Sequence, residues 1–583
     1  MAYPLVTPAP KRIAEIPISR YTFPMQKRLS ELLSSIKCTR IRADGTHAEG
    51  AQADPAVAAL AFDSRDVVAG TLFFALPGTH TTGNRFIPAA LKAGAVAVVF
   101  QDDLDAETEA AVRSALAERG EDVPLIRVAD ARFVMAPISA AFYGWPSKKL
   151  VVIGVTGTEG KSSTVSFIWQ FLRLCGKKAG FISTVEYSLG GEAIANPQHQ
   201  TTPESPVIQS HLAQMLAAGC EYAVIESSSH GLSARTNRTG CIDYDCAVFM
   251  NVTLEHLEFH KTFAQYRDDK ANLFRKLDEC DHRKVIGGTE TDVPAFGIVN
   301  LEDESAPYFI AATRQPVFGF TTGGEAGKQT GAPLPPIPAG IPHLVARDIT
   351  ATRDGIQFTL SEKNGTDGGQ SLTIRAPLPG AFNAYNVMAA LLAVSRLTGT
   401  SLSALAPLAA GLRPVKGRMT VIDQGQPFEL IVDYAHTPSS FETIFPPLRR
   451  RCAGRMLSVF GSGGERDTEK RPLQGAIAAR FCDVVILTDE DPRGEDSVAL
   501  LTQIAAGAEQ AGKVMGKDLF ITPNRPAAIR QALAQAHQGD IVLLLGKSHE
   551  NSIIYKDHAL PYDEIREAQT ALAEMGYKRS VSQ

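Results

Sequence analysis

The sequence predicts an α/β protein of three domains. Three observations carry that expectation. The chain has 583 residues, more than one hydrophobic core organises. Short β-rich runs recur, each followed by a helical or polar stretch, which is the rhythm of βαβ units around a mostly parallel sheet. Several of those runs pass directly into glycine-rich or charged clusters, where such sheets place their working groups.

The elements follow in order. Residues 1–25 are proline-rich and unpatterned, and read as a loose arm. "VAALAFDSRDVVAGTLFFALPG" and "FIPAALKAGAVAVVF" give a first α/β unit, and "FVMAPISAAFYGWPSKK" reads as a helix ending in a turn. That turn bounds a first domain at 1–148. A second domain, 149–417, opens with "KLVVIGVTG" and carries strands at "KKAGFIST", "EYAVIESSS" and "YDCAVFMNV". Within it, the Gly- and Pro-rich stretch 321–340 reads as a flexible surface insertion, and "APLPGAFNAYNVMAALLAVSRL" returns to helix. A third domain, 418–583, has strands in "FELIVDYAHTP", "RMLSVFGSGG", "DVVILTDEDPRGED" and "DIVLLLGKSHE".

Composition narrows the class. A hydrophobic content of 44%, 21% charged residues and a formal charge of −5 suit a soluble enzyme and give no electrostatic case for nucleic acid. The eight cysteines are dispersed without a CxxC pair, which predicts reduced thiols and a cytoplasmic setting. The N-terminus lacks a signal-type apolar core, and no run reaches the ~20 apolar residues of a membrane span.

The stretch "VVIGVTGTEGKSSTVSFIWQFLRL", 151–174, joins a buried strand to a helix through glycines and a lysine. Backbone N–H groups of Gly157, Thr158 and Gly160, with Lys161, Ser162 and Ser163, suit phosphate oxygens, and the Ser162 hydroxyl can reach Mg2+. The usual phosphate loop has a glycine five places before Gly160, where Val155 stands here between Gly154 and Gly157.

That departure is informative, because "GVTGTEGKSS" resembles the "GxTGTNGKTT" loop of the Mur ligases and of the related folylpolyglutamate synthetases. "DSRDVVAGTLFFALPGTHTTGNRFI" is similar to the N-terminal segment of the Mur ligase that adds the third amino acid to UDP-N-acetylmuramoyl-dipeptide. "TTPES", "IESSSHGL", "NVTLEHLEFH", "YRDDKANLF", "GAFNAYNVMAA", "VKGRM", "VDYAHTPSSFE", "GSGGERDTEKRP", "DEDPRGED" and "GKSHE" resemble its later blocks in the same order. The resemblance runs from about Ala61 to the end, apart from the insertion. It implies the three-domain Mur ligase architecture, with a central P-loop-type domain and a Rossmann-like C-terminal domain. It further implies ATP- and Mg2+-dependent formation of an acyl phosphate on UDP-N-acetylmuramoyl-L-alanyl-D-glutamate, attacked by a free diamino acid, in peptidoglycan synthesis by a monomer.

The same resemblance implies residue roles. Lys161 and the loop amides would hold the β and γ phosphates, and Ser162, Glu226 and His230 would face Mg2+, a hard ion suited to oxygen ligands. Lys270 aligns with a lysine carried as a carbamate, a carboxylate-like group that helps place the metal. Asn383 and Asn386 match a pair near the adenine, Arg418 matches an arginine reaching the phosphates, and Asp433 and His436 match nucleotide contacts. Ser64, Arg65, Thr79, His80 and Thr81 would address the uridine end, and Thr201, Thr202 and Ser228 the muramyl-peptide. After "SSHGL" the pattern departs, and either Arg235 or Arg238 would supply the expected charge. His256 and His260, four apart, could share a helical face for zinc, but no third ligand is evident.

For the added amino acid, "DEDPRGED" stands where "DNPR" accompanies meso-diaminopimelate. Asp491 replaces the asparagine, and a carboxylate there would repel a second carboxylate and attract a terminal ammonium, favouring lysine or ornithine. Arg493 argues the other way unless it holds the α-carboxylate, which Gly546 and Glu550 could also do. Two alternatives stand beside this reading. A folylpolyglutamate synthetase relative would lack the N-terminal "DSR…LPGTHT" segment, and a nucleotide-switched binding protein would have no use for the charged strand ends of the third domain.

Overall fold

The computed structural model describes residues 26–41, 53–78, 82–198, 200–253, 255, 257–326, 334–363 and 371–578. The loose arm, Thr79, His80, Thr81 and His256 lie outside the described residues, as does 327–333 of the insertion. Two compact units divide the chain: 1–146 with 205–214, and 147–204 with 215–583.

The first unit holds a five-stranded sheet in the order Thr39–Ile41, Leu125–Arg127, Ala95–Phe100, Thr71–Ala75, Ala59–Ala61. Its inner pairs are parallel, and Phe73, Phe74, Val98 and Val99 are buried from both faces. Ser64 begins a short turn whose cap, Asp63, accepts from the Arg65 backbone and side chain, both at 2.9 Å. The Arg65 guanidinium is otherwise solvent-exposed.

Besides two antiparallel strand pairs, Arg283–Ile286 with Thr289–Asp292 and Ser552–Ile554 with Ala559–Pro561, the second unit contains two large sheets. The larger has eleven strands, six of its ten pairings parallel, with Val151–Thr156 between Tyr222–Glu226 and Cys246–Phe249. The smaller has six, in the order Thr420–Ile422, Glu429–Asp433, Ile541–Leu545, Met456–Phe460, Val484–Leu487, Leu519–Ile521, all parallel but the first pair. The helix Lys161–Leu174 reads as amphipathic in sequence, yet ten of its fourteen residues are buried. The cause is tertiary, for the helix Asn383–Thr398 packs on the side that the sheet leaves open. Residues 334–340 of the insertion carry no regular element. Among the described residues no disulfide joins the cysteines, and no helix is long and apolar enough to cross a membrane.

A buried ionic knot ties the central strands. Asp245 accepts from Val152 N at 2.8 Å, from His282 Nδ1 at 2.9 Å and from Lys284 Nζ. The bond to Asp245, with help from Cys280 and Leu277 O, pushes the His282 pKa up to about 10. Because that value lies above the unfolded one, the stabilisation is complete below about pH 6.5 and is lost as pH rises towards 10. His282→Gln should therefore cost about 1.5–3 kcal/mol at pH 6. The gap in Tm between wild type and variant should narrow on titration towards pH 10, and a gap independent of pH would refute the charged pair.

Candidate active site

The central strand Val151–Thr156 delivers its last residues to a turn whose backbone the glycines make possible. Gly157 has φ 153° and Gly160 φ 82°, values that L side chains rarely adopt. A Cβ on Gly160 would also lie 2.8 Å from Asn386 Oδ1. The helix then begins at Lys161 with its N–H groups pointing out of the turn, a ready anion cradle. Lys161 Nζ donates to Thr158 O at 2.8 Å, so the cation already stands over the loop.

Around this loop lies a cavity of about 670 Å³. Of the residues singled out in the sequence, Thr158, Gly160, Lys161, Ser162, Ser163, Thr201, Glu226, Ser228, His230, Lys270, Asn386, Arg418, Asp433, His436, Asp491, Arg493 and Glu550 line it. The Ser162 hydroxyl donates to Glu226 Oε1 at 3.1 Å, and Thr184 N donates to Oε2 at 2.8 Å. Glu226 is 1% exposed, so this carboxylate at a strand end is part of the cavity floor and no surface cap. A hydroxyl and one carboxylate beside a phosphate cradle fit Mg2+, which keeps several waters and takes few protein oxygens. Among the described residues, no three His, Cys, Asp or Glu side chains converge as a closed metal set.

Lys270 is 1% exposed and donates to Gly157 O at 2.7 Å. Burial above all, and then the Lys161 charge, holds its pKa well below the ordinary lysine value despite Glu255 and Glu226. The His230 ring packs on Phe259, centroids 4.2 Å apart.

The smaller sheet closes the cavity from the other side. Arg418 Nη2 reaches Ser162 Oγ at 3.4 Å while its guanidinium stacks on Tyr434, 4.8 Å from the ring centroid. Asp433 accepts from Met419 N at 2.7 Å and Ala435 N at 2.8 Å, and burial raises its pKa. His436 Nε2 stands 3.6 Å from Glu255 Oε1, and Thr437 Oγ1 donates to Glu159 Oε1 at 3.4 Å.

Several expected positions are placed differently. Asn383 does not line the cavity; its Oδ1 accepts from Asn386 Nδ2 at 2.9 Å and its own amide is tied to Pro379 O, so it orients Asn386. Thr202 lies beneath the surface, bonded to Glu226 O and Ser228 Oγ. Gly546 is likewise behind the wall, where a Cβ would press on Glu490 Oε2 at 2.8 Å. Arg235 points away, donating to Phe259 O at 2.9 Å, whereas Arg238 lines the cavity and pairs with Glu204 at 3.0 Å. Both ring nitrogens of His260 are bonded to protein, to Asp269 and Ser229, so neither is offered to zinc. Ser64 and Arg65 belong to the first unit.

The largest revision concerns Asp491. Its Oδ1 accepts from Lys547 Nζ and from Ile554 N, both at 2.8 Å, so its charge is satisfied inside the protein. Burial disfavours the Lys547 ammonium, but Glu550 and Asp491 outweigh it and raise its pKa. The preceding residue, Glu490, lines the cavity and has a buried Oε2 that no protein group bonds; Arg493 Nε is buried in the same way. Sequence reasoning passed over Glu490, Glu255, Arg466 and Lys470, although each sits inside a quoted motif.

Comparison with known proteins bears on this geometry. Three family models match: Mur ligase family, catalytic domain, over residues 56–143; Mur ligase middle domain over 155–394; and Mur ligase, glutamate ligase domain, over 417–548. A UDP-N-acetylmuramyl-tripeptide synthetase of Treponema denticola is 50% identical over 513 residues, 88% of this chain and 90% of its own length. The chain belongs to the Mur ligase family. This Mur ligase is also 37% identical to a UDP-N-acetylmuramoyl-L-alanyl-D-glutamate–2,6-diaminopimelate ligase of Geobacillus kaustophilus, over 90% of this chain and 96% of that one. A solved structure of an enzyme with that same ligase name matches the Mur ligase fold described above with a TM-score of 0.56 at 25% identity, covering 95% of this chain and 100% of the other. The α/β architecture expected from the sequence is thus the Mur ligase fold.

Proposed function

We propose that this Mur ligase is an ATP-dependent amide ligase that adds a diamino acid to UDP-N-acetylmuramoyl-L-alanyl-D-glutamate through an acyl phosphate, for peptidoglycan synthesis in the cytoplasm, as a monomer. The observation that carries the reading is the single cavity in which the phosphate loop, Glu226 and Lys270 face Arg418, Glu490 and Arg493. A phosphate cradle alone would suit a switch protein. A cradle facing an arginine and an unbonded carboxylate suits transfer to a charged acceptor.

In this reading Lys161 and the loop N–H groups bind the β and γ phosphates, and Arg418 neutralises charge that builds up on the transferring phosphoryl group. Mg2+, held by Ser162 and Glu226 with His230 and a carbamylated Lys270 nearby, would supply electrophilic stabilisation to phosphate oxygens. Thr201, Ser228 and Arg238 orient the muramyl-peptide carboxylate, while Ser64 and Arg65 serve the uridine end. Packing of the smaller sheet over the loop excludes water from the acyl phosphate.

The added amino acid is lysine or ornithine. Glu490, rather than the neutralised Asp491, is the carboxylate left to meet an ammonium, and Arg493 is the cation left for a carboxylate. A second carboxylate on the side chain would stand unpaired beside Glu490, which is costly in a buried setting.

The test is phosphate release by purified protein with ATP, Mg2+ and UDP-N-acetylmuramoyl-L-alanyl-D-glutamate, with lysine, ornithine and meso-diaminopimelate offered separately and the product weighed. Release with lysine or ornithine and the matching tripeptide mass supports the reading. Release with diaminopimelate alone overturns the amino-acid assignment, and none with any of the three overturns the ligase. Glu490→Gln should raise the KM for the accepted diamino acid by roughly 10–100-fold and leave the KM for ATP near wild type.

A further inference from the structure

One buried group beside the cavity has no task in the proposed reaction. The His260 side chain is fully buried, and both of its ring nitrogens are committed: Nδ1 to Asp269 Oδ2 at 2.7 Å and Nε2 to Ser229 Oγ at 3.0 Å. Asp269 is fixed in turn by Gln265 Nε2, which donates to Oδ1 at 3.2 Å. The two ends of this chain of bonds sit next to the two side chains whose separation matters. Ser229 precedes His230, and Asp269 precedes Lys270 on the helix Phe263–Arg275.

Ring contacts repeat the connection. The His260 ring lies 5.2 Å from that of His230 and 5.1 Å from that of Tyr266, centroid to centroid. Tyr266 carries the Lys270 ammonium over its face at 4.5 Å, and its hydroxyl bonds Thr158 Oγ1 of the phosphate loop at 3.0 Å. Phe259 packs against both imidazoles, 4.2 Å from the His230 ring and 4.7 Å from the His260 ring, and Arg235 pins Phe259 through its carbonyl and its ring. One imidazole therefore touches, directly or through one residue, the His230 turn, the Lys270 helix and the phosphate loop.

We propose that His260 is a positioning residue: through Ser229 and Asp269 it sets the places of His230 and Lys270 relative to each other and to the phosphate loop. Serine, histidine and aspartate in this order also describe an activated hydroxyl. Ser229, however, is 1% exposed, so the arrangement serves as a brace and not as a nucleophile. A brace of this kind is needed because the elements it joins are separate in sequence. The turn at 227–230 and the helix at 263–275 come from different strand-to-helix connections, and an error near 1 Å between reacting groups costs about 10²-fold in rate. Outer partners of metal-facing groups characteristically matter by about 10–100-fold.

The inference rests on the proposed ligase reaction, and the experiment separates the two. His260→Gln keeps an amide close to the Nε2 position and gives up the bond to Asp269. It should lower kcat for ligation by about 10–100-fold while the KM for ATP stays within about threefold, with a near-normal Tm. Ser229→Ala, which deletes one hydroxyl, should lower kcat several-fold alone and add little in the His260→Gln background, because both changes break one chain of bonds. A crystal structure of His260→Gln should show Lys270 Nζ moved from Gly157 O, 2.7 Å away in the wild type, with His230 turned from Phe259. Wild-type kcat in His260→Gln, or Lys270 and His230 unmoved in that crystal structure, would overturn the proposal. Should His260→Gln not fold, Ser229→Ala decides by the same kcat criterion. If the wild-type chain ligates none of the three amino acids, the ligase reading falls, while the displacement of Lys270 and His230 in the variant crystal still judges the brace.

Discussion

Lys161→Ala should lower ATP-dependent ligation by about 10²–10³-fold and leave the fold intact. The side chain is only half-buried, and its one bond is to Thr158 O of its own turn, so no core contact is lost with it. What is lost is a cation above the N–H groups of the loop, where negative charge concentrates as the phosphoryl group leaves. Phosphate release and a melting curve on the same preparation give the answer. Inactivity with a normal Tm supports the role of the loop; full activity sinks it and leaves the loop geometry without its chemistry.

The second large effect belongs to Lys270. Its amine is buried and its pKa lies well below the usual lysine range, first through desolvation and then through Lys161. A neutral amine is the form that adds CO2, releasing a proton, and the resulting carbamate would be an anion beside the Lys161 cation, with Glu255 and Glu226 the other charges nearby. We expect Lys270→Ala to lose about 10²–10³-fold in kcat. Stripping dissolved CO2 should depress wild-type activity, and bicarbonate should restore it. Carbon-13 bicarbonate should give a carbamate resonance that the variant lacks, and its absence from the wild type would refute the modification.

The same residue makes a stability prediction of opposite sign. An amine whose folded pKa lies below its unfolded one burdens folding at every pH below the ordinary lysine value, most heavily below the folded pKa. In CO2-free buffer Lys270→Met should therefore raise Tm near neutrality, and the gain should vanish as pH approaches about 10.4. A lower Tm for the variant in that buffer would show that the amine is paid back by bonds other than the one to Gly157 O.

How much of this was legible in the sequence depended on whether the partners are close along the chain. The phosphate loop is one contiguous stretch, so the spacing of Gly157, Gly160, Lys161 and Ser162 between a strand and a helix already fixes their geometry. Glu226 was legible for a related reason, since the end of an inner parallel strand has one place to point. The pairing of Asp491 was not legible, because the lysine that bonds it lies 56 residues further on, and only that pairing singles out its neighbour Glu490 as the carboxylate with an unbonded buried oxygen. Arg235 and Arg238, three residues apart, were equivalent in sequence until Phe259 drew one away and Glu204 held the other at the cavity. The second histidine of "HLEFH" suggested a metal by its spacing, whereas Asp269 and Ser229 use up both of its nitrogens.

The sequence by itself therefore determined the α/β class, the phosphate loop and the family, because these rest on local periodicity and on motifs in a fixed order. Only the tertiary structure decided which charges remain available to a substrate. Availability is a matter of what else is buried within hydrogen-bond reach, and partners such as Lys547 for Asp491 or Asp269 for His260 are brought there by folding and not by spacing.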